Sequence, residues 1–136
     1  MSTSAELIRY RIQRAFETLD EARLMAESGH WNGCINRLYY ACFYAVNALL
    51  LTKRLSSPKH TGVRSLFSLH FVRDGAFPKN LAALYNSLFD TRQESDYEDF
   101  FTPDPEETQA WLVQAEQFIR HAEELVEKVL LDKKGS

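Results

Sequence analysis

Between Trp31 and Leu51 the chain places apolar residues on two neighbouring helical rows. One row reads Trp31, Ile35, Leu38, Cys42, Val46, Leu49, and the other reads Tyr39, Phe43, Leu50. A helix apolar around so much of its circumference must be surrounded by other helices, because water on any of those faces would be costly. Asn36, Arg37 and Asn47 interrupt the run, which argues against a membrane span and for the centre of a helical bundle.

Four further helical segments provide the surroundings. Ile8, Ile12, Ala15, Leu19, Ala22 and Ala26 recur at helical spacing, behind a Thr3–Glu6 capping box and ahead of Gly29 as the terminating glycine. Ser57-Pro58 is expected to start a third helix, striped by Val63, Leu66, Phe67, His70 and Phe71 and stopped at Asp74-Gly75. Pro78 opens a fourth, striped by Leu81, Leu84, Tyr85 and Leu88, and Asp104-Pro105 opens a fifth through Trp111, Ala115, Phe118, Ala122, Leu125 and Val129. No alternating strand pattern of useful length and no internal repeat is present. Short connections favour antiparallel neighbours. The expected fold is therefore all-α: an up-and-down antiparallel four-helix bundle with one additional shorter helix. A single domain over residues 1–130 and a frayed tail at 131–136 are expected.

Composition adds limits. The chain has 136 residues, 45% of them hydrophobic, enough for an ordinary core without metal or disulfide staples. Cys34 and Cys42 lie about 12 Å apart along one helix, too far to bridge. With no signal-peptide pattern, a soluble protein of a reducing cytoplasm is expected. The net charge of −3 is unlike that of a general nucleic-acid binder, yet its distribution is uneven. Residues 51–80 carry six bases against Asp74, and residues 90–107 carry eight acids against Arg92. Those are either two solvated faces, or a basic groove beside an acidic docking surface.

The chemistry-bearing positions are few. Asn36, Tyr40, Tyr44 and Asn47 form a polar row on the central helix, which needs internal partners or a groove. Arg92 continues the apolar stripe of the fourth helix. It can pair with Asp96 one turn on, or grip a phosphate with its planar fork. The run Asp96, Tyr97, Glu98, Asp99 reads as a solvated loop more readily than as a cation site. His30, His60, His70 and His121 are scattered, so neither a metal nor a cofactor is expected. His60, beside Lys59, has a possible RNA-contact role, and His70 reads as a core residue. No phosphate-binding glycine loop, nucleophile elbow or zinc-protease motif occurs.

The block Asn36-Arg37-Leu38-Tyr39-Tyr40-Ala41-Cys42-Phe43-Tyr44-Ala45, the stretch from Lys59-His60 to His70-Phe71, and Arg92 followed by Asp96-Tyr97 together resemble HEPN domains. The resemblance runs from about residue 5 to 130. It implies a helical bundle, commonly a homodimer, encoded beside a minimal nucleotidyltransferase as a toxin–antitoxin pair. Toxic members are metal-independent ribonucleases whose motif is Arg, four to six residues, then His. Some partners adenylate a Tyr two residues after that His.

Arg92 matches the motif arginine, but the fifth position after it is Tyr97 rather than His, and the seventh is Asp99 rather than Tyr. A phenol with a pKa of about 10 is a poor base at neutral pH. The resemblance therefore implies a non-catalytic module. It would form a homodimer, dock a nucleotidyltransferase-like partner, and bind nucleotide or RNA through some of Asn36, Arg37, Tyr40, Lys59, His60 and Arg92. The alternatives are a ribonuclease toxin using Arg92 with Asp96, Tyr97 or a His such as His60, and a ligand-free helical scaffold. The aromatic load, including Phe89, Phe100 and Phe101, supports the dimer expectation.

Overall fold

The computed structural model describes residues 4–135, with side chains described to Asp132; the Thr3 half of the expected capping box lies outside them. Five helices follow one another: α1 (Ser4–Glu27), α2 (Trp31–Thr52), α3 (His60–Phe67), α4 (Lys79–Tyr97) and α5 (Pro105–Gly135). Among the described residues there is no strand. The four long helices form the bundle, and α3 is the additional short one.

The central place of α2 follows from its sequence. Ile35, Leu38, Cys42, Val46, Leu49, Tyr39 and Leu50 are all fully buried. It packs most closely on α1, then on α5 and α4. Among the described residues, α2 alone has the length and composition of a membrane span, but 61% of that stretch is buried inside the structure.

Turns are set by local chemistry. Gly29 adopts φ +74°. Its N–H donates to the Ala26 carbonyl, and the His30 N–H donates to the Met25 carbonyl. This is the paired closure that ends a helix on a left-handed residue. The end of α2 repeats it without a glycine: Arg54 sits at φ 58°, with Arg54 N–H on Leu51 and Leu55 N–H on Leu50. At α5 the expected cap is present, Asp104 Oδ1 accepting the Glu106 N–H at 3.1 Å.

Two boundaries differ from expectation. The third helix begins at His60, not at Ser57-Pro58. The Ser57 hydroxyl accepts the Lys59 N–H at 3.2 Å, a local turn that competes with helix, and Lys59 is extended. A Cβ on Gly62 would meet Ser57 Oγ at 2.1 Å, so the turn and the helix start are packed against each other. Beyond Phe67 the helix widens into a π turn, Ser68–Val72. The other end of the chain continues helical through residues expected as tail, to Gly135.

Candidate functional site

The fourth-helix stripe runs inward through Leu81, Leu84, Tyr85 and Leu88, all buried, and delivers Arg92 to the edge of the core. Its side chain is 16% exposed. Nη1 donates to Asp96 Oδ2 at 3.1 Å, one turn on. The guanidinium carbon lies 4.6 Å from the ring centroid of Tyr39 and 5.7 Å from that of Tyr40, a cation held over aromatic faces. Nε is buried without a hydrogen-bond partner.

Tyr39 joins this arginine to a histidine. Its ring stacks on Tyr85 at 5.9 Å and meets the edge of Phe89. Its hydroxyl lies 2.7 Å from Nδ1 of His60. The imidazole stacks on Phe43 at 4.4 Å. Burial, then the Arg92 charge, holds His60 below the ordinary imidazole pKa, while burial pushes the Tyr39 phenol up to about 12. The phenol and the ring nitrogen share one hydrogen bond, whose donor is set by the imidazole tautomer.

The remaining sequence candidates divide in two. Arg37 lies 5.6 Å from the Tyr40 ring centroid, pairs with Glu21 at 3.2 Å, and donates from Nη2 to Asn36 Oδ1 at 2.9 Å. Asn36, Arg37, Tyr40, His60 and Arg92 are thus linked through neighbouring contacts. Lys59 is exposed at the entry to α3. Tyr97, the last residue of α4, is 83% exposed and stands apart from the cluster. The lower polar row is satisfied locally: Asn47 Nδ2 donates to the Phe43 carbonyl at 2.9 Å, and Tyr44 lies under Arg14.

Sequence reasoning set Tyr39 among the apolar residues and missed its bridging role. Its position beside Tyr40 was visible, but the reach to His60 is set by how α3 lies on α2. The basic and acidic segments meet at Arg64–Asp90, 3.6 Å apart. His121 donates from Nε2 to the Ala76 carbonyl at 3.1 Å, and His70 is half-buried. Cys34 and Cys42 are buried free thiols. Among the described residues no group of three or more His, Cys, Asp or Glu is close enough to share a metal. Of the aromatics expected at a dimer contact, Phe89 is buried and Phe100 is 97% exposed.

Comparison with known proteins agrees with the architecture. The family model described as HEPN domain matches residues 8–129. A Thermotoga maritima protein named as a UPF0332 protein is 39% identical over 127 residues, covering 93% of this chain and 96% of that one. A Methanocaldococcus jannaschii protein named as a candidate toxin is 31% identical over 125 residues, 92% of each chain. With a family model spanning nearly all of its helices and relatives of matching length, the chain belongs to the HEPN domain family.

Proposed function

We propose that this chain is a non-catalytic HEPN module of a toxin–antitoxin-type system. It forms a homodimer and docks a nucleotidyltransferase-like partner. The observation that carries this reading is the state of Arg92. A phosphate-gripping arginine needs an open fork of N–H donors. Here one donor is taken by Asp96, the plane lies over Tyr39 and near Tyr40, and Nε is sealed in. The residue standing where the family's ribonuclease has its histidine is Tyr97, whose side chain is exposed to solvent. The toxin-like name of the Methanocaldococcus relative supports the system class. The exposed aromatic and acidic end of α4, with Tyr97 and Phe100 bare, supports a docking role.

Co-expression with a minimal nucleotidyltransferase, followed by pull-down and sedimentation, tests this. The expected result is a stable complex and, for the chain alone, twice the 15.8 kDa mass of one copy. Separate elution of both proteins and a monomer at micromolar concentration would count against it.

One observation favours a second reading, a ribonuclease with a rearranged site. Arg92 and His60 both contact Tyr39, so the arginine has an imidazole nearby from another helix. Cleavage of RNA that is lost in both Arg92→Ala and His60→Ala would support that reading over the first.

A further inference from the structure

We propose that the groove between the π turn after α3 and the middle of α4 is a binding site for a phosphomonoester. It shares no lining residue with the Arg92 cluster and does not depend on the reading above. The groove has a volume of about 400 Å³ and is lined by Arg64, Ser65, Ser68, Leu69, Arg73 and Asn86. That volume falls in the range of small-molecule sites, roughly 300–1,000 Å³.

The lining is a donor set. Two arginines, two serines and one asparagine line a single concavity, together with the half-exposed Leu69. Arg64 is held in place from below, its guanidinium carbon 3.9 Å from the Phe89 ring centroid. It also pairs with Asp90 at 3.6 Å, an exposed and long contact that an incoming anion can replace. Arg73 has no ion-pair partner among the described residues.

The π turn explains why Arg73 is here at all. The Arg73 N–H donates to the Ser68 carbonyl at 3.0 Å, five residues back. In a regular α-helix the fifth residue lies about 140° round the axis. The wider turn instead returns Arg73 towards the line of Ser68, on the side where Arg64 and Ser65 project. Single π turns are less favourable than α-helix and recur at ligand sites. Two cations suit a dianion. A carboxylate, with two oxygens and one charge, would leave donors unused. The apolar Leu69 favours an ester over the bare ion.

Titration of the ¹⁵N-labelled full chain with ribose 5-phosphate, inorganic phosphate and ribose tests the site. Saturable amide shifts are expected at Ser65, Ser68, Arg73 and Asn86 with ribose 5-phosphate, weaker ones with inorganic phosphate, and none with ribose. Arg73→Ala should weaken the ester about tenfold or more, the loss of one charge-assisted contact. Asn86→Asp, an exposed change that puts a carboxylate in the groove, should do so as well. Four results would overturn the assignment: no saturation by about 10 mM, far weaker than even a millimolar site; binding unchanged in both variants; equal affinity for inorganic phosphate; or shifts centred on Arg92 and His60.

Discussion

Tyr39 and His60 share a hydrogen bond of 2.7 Å between hydroxyl and Nδ1, tying a buried phenol of the central helix to the first residue of the short one. The two lie twenty-one positions apart, separated by a link held through Ser57 and Gly62. His60 is in this way part of how α3 is seated on the bundle.

Removing that hydroxyl should be felt at both ends. Tyr39→Phe is expected to cost about 1 kcal/mol, the net worth of a partly buried hydrogen bond. Urea denaturation measures it. The same change removes the partner of His60 Nδ1, so the His60 ring signals, followed by NMR, should shift.

Acid should loosen the same corner. His60 is held below its ordinary pKa by burial and by Arg92, so between the folded value and the unfolded value of about 6.5 the unfolded chain binds the extra proton. The contribution of the neutral ring is present above that unfolded value. It is lost as pH falls through the window below it. Stability measured from pH 8 to pH 5.5 should decline on the acid side, and His60→Gln should flatten that decline.

The helix ends give two opposite expectations. Asp104→Ala removes the side-chain oxygen on the Glu106 N–H and should destabilise by about 1 kcal/mol. Arg54 occupies a left-handed conformation, φ 58°, which costs an L-residue with a Cβ roughly 1 kcal/mol that glycine avoids. Arg54→Gly should therefore raise the urea midpoint, and Asp104→Ala should lower it, each with unchanged m-value.

Gly62→Ala tests the packing under His60. A Cβ there would meet Ser57 Oγ at 2.1 Å and its Cβ at 2.9 Å, so the turn must shift. Overpacking of this kind costs typically 1–3 kcal/mol. The accompanying sign should be altered NMR shifts at His60 and Tyr39, which a change confined to α3 would not give.

Much of this was legible because it is local. The Leu38, Cys42, Val46, Leu49 row announces the central helix through spacing alone. Gly29 and Asp104-Pro105 announce their ends through backbone preference. Arg92 and Asp96, one helical turn apart, were a readable pair. What escaped depends on contacts between distant residues or on small free-energy differences. The Tyr39–His60 bond requires the angle at which α3 meets α2, and that angle is set by core packing rather than by any short motif. The start at His60 turns on a hydroxyl at Ser57 outbidding a proline that ordinarily opens a helix. The widening at Ser68–Val72 and the left-handed Arg54 break local preference, so no local rule announces them.

The central claim is that Arg92 is fastened to Asp96, Tyr39 and Tyr40 and does not cut RNA. Incubating the purified chain with a panel of structured and single-stranded RNAs, beside Arg92→Ala, tests it most directly. Intact RNA with both proteins is the expected result, with Arg92→Ala showing only a lowered melting temperature. RNA cleavage by the unmodified chain, abolished in a variant whose helical circular dichroism is unchanged, would contradict it.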